Sequence, residues 1–122
     1  IEEGLKPDRI VIGQCDRYPD IERDKDIAKM GAYVAYDSAA YDESPESGKR
    51  RIESIKAMVD AGLQKRVIIS VDAIGYALGF PQPKRTYRYL PGGLLEELRH
   101  AGIDDKTIKT FLVENPRNVL AF

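Results

Sequence analysis

Apolar residues along the first 72 positions come in two rhythms. The runs RIVIG (9–13), AYVAYD (32–37) and RVIISVD (66–72) are short, dense and rich in β-branched or aromatic side chains, which is the pattern of strands. The last is apolar almost without a break, as a strand covered on both faces must be. Between them the period becomes helical. Asp20 is placed to cap a helix that runs to Met30 and stops at Gly31, and residues 49–61 set Ile52, Ile55, Met58 and Val59 on one face before Gly62. After a stretch rich in Gly, Pro and Tyr, the segment GGLLEELRHAG carries a stripe of Leu94, Leu95 and Leu98. Asp104 then opens a helix with Ile108, Phe111 and Leu112, which the sequence predicts to end at ENP (114–116). Residues 37–50, DSAAYDESPESGKR, read as a polar loop long enough to carry function. Strands that alternate with helices imply parallel pairing, right-handed crossovers and an α/β fold.

In parallel α/β structures ligands bind where loops gather at the carboxyl ends of the strands. Polar residues collect there: Gln14, Cys15 and Asp16 after the first run, Asp37 and Ser38 after the second, Asp72 after the third. A strand-end carboxylate suits a divalent cation or the proton of a metal-bound water. Asp is equally suited to capping a loop or helix by accepting backbone N–H bonds. Both readings of Asp16, Asp37 and Asp72 stay open on sequence alone. His100, the only histidine, lies just before Gly102 at a helix end, where the imidazole favours the helix dipole and solvent. Cys15 has no histidine near it in sequence and reads as a small buried apolar group. Tyr76, Tyr87 and Tyr89 either wall a substrate entrance or pack their loop onto the body. GYALG and PGG have neither Rossmann nor P-loop spacing.

Composition narrows the partners. A chain of 122 residues fits one domain with a modest core. Nineteen Lys and Arg against twenty Asp and Glu leave a net charge of -1, so there is no basic field to attract nucleic acid or an anionic membrane. A single cysteine cannot form an internal disulfide, and no apolar stretch is long enough to span a bilayer. A reducing, cytoplasmic setting is the simplest fit. The opening IEEGLKPD lacks a methionine and reads as the last turn of a helix with its Gly stop. Residues 1–122 are therefore expected to be one partial domain cut from a longer chain.

The segments DRIVIGQCD, GAYVAYD, RRIESIKAMVDAGLQKRVIISVD and LLEELRHAGIDDKTIKTFLVENPRNVL, taken together, resemble the consecutive sixth, seventh and eighth βα units of the phosphotriesterase-like family within the amidohydrolase superfamily. The resemblance implies the C-terminal part of a (β/α)8 TIM barrel of the metal-dependent hydrolase type, in which divalent, zinc-like metals activate water against lactones, phosphotriesters or related esters. It implies that Asp72 is the eighth-strand carboxylate that binds metal and takes part in proton transfer. Gln14 falls where the family carries its sixth-strand histidine, and a neutral amide is a poor zinc ligand beside an imidazole. Ser38 follows Asp37 where some members carry a histidine or an arginine, so a relay from Asp72 through that position is not implied. With Asp37, Ser38 and Tyr76 assigned to substrate loops, the isolated chain is expected neither to retain zinc nor to turn over substrate without the missing N-terminal barrel units. The alternative is a non-catalytic partial-barrel scaffold that oligomerises through open sheet edges. A monomer with loop 73–91 folded over the open face, or a small-molecule-binding module built on the tyrosine-rich loop 76–89, are further readings.

Overall fold

Residues 4–41, 44–73 and 87–121 are described by a computed structural model of the chain. Three parallel strands, β1 (Val11–Ile12), β2 (Tyr33–Tyr36) and β3 (Val67–Ile69), lie side by side in chain order. Val11 and Ile12 pair with Tyr33 and Val34, while Val34, Ala35 and Tyr36 pair with Val67, Ile68 and Ile69. Parallel neighbours share a face, so this register sorts the side chains. Val34, Tyr36, Val67 and Ile69 turn to one side and form the core with Ile55, Met58, Leu98 and Phe111. Ala35 and Ile68 turn to the other side, where Ile68 is only half-buried. The four residues of β2 are buried throughout, whereas Val11 and Ile12 of β1 are 42% and 40% exposed. The helices therefore cover one layer of the sheet and leave the β1 edge open.

Helix α1 (Ile21–Lys29) begins and ends where the sequence places it. The Asp20 carboxylate accepts the Arg23 N–H at 3.0 Å, and Gly31 takes a φ of +96°, a left-handed turn that a side chain would resist. Helix α2 (Pro45–Asp60) starts four residues before the predicted 49 and absorbs much of the predicted loop. Proline at the first helical position explains the earlier start, because its fixed φ suits a helix and its missing N–H would have no partner there. A short 3-10 turn, Ala39–Tyr41, takes up more of the same segment.

The C-terminal helices correct a second expectation. After a π-helical turn at Leu90–Leu94, α3 spans Leu95–His100, with Leu94 and Leu98 fully buried and Leu95 partly so. α4 (Asp105–Lys109) runs through a π-helical turn, Thr110–Glu114, directly into α5 (Asn115–Leu120). The helix does not stop at Asn115-Pro116. In the widened turn the Asn115 N–H reaches back five residues to the Thr110 carbonyl, which accommodates a proline ring that a regular α-turn would exclude. The buried Asn115 side chain donates to the Gln64 and Val67 carbonyls at 2.8 and 2.6 Å and so pins this rod to the start of β3. Tyr76, most of loop 73–91 and the first three residues lie outside the described residues. Among the described residues no helix is long and apolar enough to cross a membrane.

Candidate functional site

The three strand ends are joined by a crossed set of hydrogen bonds. Beyond β1 the Gln14 backbone N–H donates to Asp37 Oδ1 at 2.8 Å. In return, beyond β2, the N–H groups of Asp37 and Ser38 donate to the Asp16 carboxylate at 3.0 to 3.2 Å. Gly13 makes this approach feasible, since a Cβ there would meet Asp37 Oδ2 at 3.0 Å. Asp16 is itself buried and receives Arg51 Nε of α2 at 2.6 Å, with both side chains all but excluded from solvent. The capping role thus accounts for Asp16: it closes the β2 loop and neutralises an arginine in the core.

Asp72 differs from its two counterparts. It is half-buried at the end of the β3 segment and, among the described residues, accepts no hydrogen bond. Its φ is +50°, and that of Gln14 is +56°; these are the two non-glycine residues with left-handed backbone among the described residues. Such conformations are disfavoured for residues with a Cβ and cluster at ligand sites, where the surrounding fold holds them. The positions assigned to metal by the family resemblance are thus the ones in this backbone state.

Electrostatics link the strand ends. Burial raises the pKa of Asp37 above the usual carboxylate range; the Gln14 N–H partly offsets this, and the charges of Asp16 and Asp72 push it up further. A raised folded-state value means that ionised Asp37 opposes folding: its stabilising contribution is intact at acid pH and is lost as pH rises through that value. Asp37→Asn retains an acceptor for Gln14 and is expected to raise Tm by a few degrees at pH 7 and by nothing measurable near pH 3, as melting curves at the two pH values will read.

Cys15 is buried, its Sγ within 3.3 Å of the Ile12 carbonyl, and burial together with Asp24 pushes its thiol up to about 11. It is a packing group, as expected. His100 is exposed at the end of α3. Tyr89 packs against the core and donates to Glu97 at 2.7 Å, whereas Tyr87 is 62% exposed. Ser38 Oγ leans toward Asp37 at 3.4 Å.

Two buried charged residues went unnoticed in the sequence. Arg51 stands four residues before Ile55 and seven before Met58, on the core face of α2; Asp24 stands three after Ile21 and four before Ala28 in α1. A charge on an apolar stripe signals a buried partner. For Asp24 the partners are the Tyr36 hydroxyl at 2.9 Å and Arg23, whose Nη2 lies at 2.7 Å.

Fold and strand-end geometry together define part of a parallel α/β barrel with its polar residues at the carboxyl mouth. The model of the phosphotriesterase family matches residues 1–120, and the chain belongs to that family. It is 34% identical to a phospho-furanose lactonase of Mycoplasmopsis synoviae, covering 98% of this chain and 35% of that protein. It is 27% identical to a phosphotriesterase homology protein of Mycobacterium tuberculosis, covering 97% and 38%. An amidohydrolase structure from Mycoplasma synoviae superimposes with a TM-score of 0.82 at 30% identity, over 98% of this chain and 35% of that one. The phosphotriesterase structure from Mycobacterium tuberculosis gives 0.83 at 24%, over 98% and 39%, and supports the barrel fold alone. The chain thus spans between a third and two-fifths of the length of these relatives, as a C-terminal barrel portion does.

Proposed function

We propose that this chain closes the barrel of a hydrolase that attacks an ester, lactone or phosphotriester with water, and that Asp72 is the carboxylate that accepts the proton of that water. The single observation behind this reading is that Asp72, of the three strand-end aspartates, is uncommitted among the described residues while held in a left-handed backbone. Asp16 and Asp37 are engaged by N–H groups, and Asp16 also by Arg51, so neither is free to take a proton in the same way. Ser38 and Asp37 border the substrate in this reading, and Tyr76 belongs to the same proposal.

The family is in general metal-dependent, and the donor set here is thin. Asp72 offers an anionic oxygen and Gln14 a neutral amide. Among the described residues no group of three or more His, Cys, Asp or Glu could hold a metal ion. Zinc takes three or four protein ligands. The described residues therefore do not fit a metal on their own, and a metal at this mouth would need further ligands from the missing N-terminal units.

A chimera tests the reading. With this chain in place of the corresponding C-terminal portion of the Mycoplasmopsis synoviae lactonase, turnover of a lactone or an aryl phosphotriester above background is expected. Asp72→Asn is expected to lower kcat roughly a hundredfold or more. A folded chimera without turnover, or one indifferent to Asp72→Asn, overturns the proposal. The scaffold reading draws on the open edge at Val11 and Ile12: self-association through β1 is expected to appear in light scattering as mass that grows with concentration, and a monomer at every dilution removes it.

A further inference from the structure

A cavity of about 320 Å³ lies on the helix side of the Asp16–Arg51 pair, between the loop that follows β1 and the first turns of α2. Gln14, Asp37 and Asp72 do not line it, whereas Asp16 and Ser38 do, so it adjoins the strand-end site on its helix side. Its charge is lopsided. Among the described residues Arg17, Arg50 and Arg51 face a single carboxylate, Asp16, which is already bound to Arg51 and to two backbone N–H groups. Arg17 and Arg50 are exposed and have no ion-pair partner among the described residues. Neighbouring positions on α2 treat their charges differently: Lys49 lies 3.9 Å from Glu53, and Lys56 lies 3.0 Å from Asp60. The hydroxyls of Ser38 and Ser47 add donors, and the rings of Tyr18 and Tyr41 with Pro19 form the apolar part of the wall.

We propose that this cavity is a binding site for a phosphate monoester carried on a small ring. Two guanidiniums suit a dianionic oxyanion, because each presents paired N–H donors to two oxygens at once. The tyrosines suit a ring, stacking on its face while their hydroxyls stay wet. The volume is at the small end of ligand sites and accommodates a molecule of that size. Asp16 does not repel the anion strongly, since its charge is met by Arg51 inside the protein.

Isothermal titration of the protein with phenyl phosphate, inorganic phosphate and phenol separates the parts. Phenyl phosphate is expected to bind more tightly than inorganic phosphate, and phenol not at all. Arg50→Gln and Arg17→Gln are each expected to weaken phenyl phosphate binding roughly tenfold or more, the loss that follows from removing a hydrogen bond to a charged group. Lys49→Gln, which removes the same charge from the same helix outside the cavity, is expected to leave affinity unchanged. Both arginines are exposed, so the variants are expected to fold, and circular dichroism verifies this. Equal affinity in all three variants, or an equal loss in Lys49→Gln, overturns the assignment in favour of diffuse charge attraction. Absence of phenyl phosphate binding to the unaltered protein overturns it outright.

Discussion

Arg51→Met is expected to destabilise the fold by roughly 3–5 kcal/mol, the usual consequence of removing one partner from a buried ion pair. Arg51 and Asp16 have side chains that are 1% and 0% exposed. Methionine fills much of the arginine's volume, so much of the loss comes from Asp16, left as a buried anion that keeps, among the described residues, the Asp37 and Ser38 N–H groups alone. That loss is a large fraction of the stability of any domain, and this one also has an open β1 edge. Urea denaturation will show it as a lower midpoint with an unchanged slope. The double variant Asp16→Asn with Arg51→Met removes the stranded charge and is expected to recover part of the loss. A single-variant effect within about 0.5 kcal/mol, as for a surface position, would mean that the pair is solvated in solution.

Asn115→Ala is expected to lower stability by roughly 1–3 kcal/mol, because the buried Val67 carbonyl loses the Asn115 donor, while the Gln64 carbonyl loses one donor and keeps the Val67 N–H. The acceptors belong to Gln64 and Val67, at the entrance to β3. The expected damage is therefore not local to α5: amide exchange should rise along β3, including Ile68 and Ile69, as well as in the helix. Protection lost only at residues 115–120 would show that the helix end frays while the sheet keeps its register. Pro116→Ala is the useful contrast, since the π-helical turn before it already accommodates the ring and relief of strain is expected to be small.

Much of the architecture was legible because periodicity is a local property. Asp20 and Gly31 bound α1 as expected, since a cap and a left-handed stop depend on residues within one turn. The strand runs were recognisable for the same reason, and their alternation with helices implied parallel order. The start of α2 was misplaced because polar residues at 45–48 look like a loop until Pro45 is seen in the first turn. The end of α4 was misplaced because an Asn-Pro dipeptide is a stop signal in isolation, and only the π-helical turn beneath it changes that.

At the strand ends the sequence determined the residue types and their order: an amide, a thiol and a carboxylate after β1, a carboxylate and a hydroxyl after β2, and one carboxylate after the last run. It also determined that the chain carries little net charge and one histidine, distant from all of them. Tertiary structure alone decided how three similar aspartates divide their work. Asp16 accepts N–H groups from a loop twenty-one and twenty-two residues away and an arginine thirty-five residues away; Asp37 is held by the Gln14 N–H twenty-three residues earlier; Asp72 is left uncommitted among the described residues. Hydrogen bonds of this span depend on the parallel register that brings the strand ends together, and no local pattern encodes which carboxylate finds a partner and which remains available.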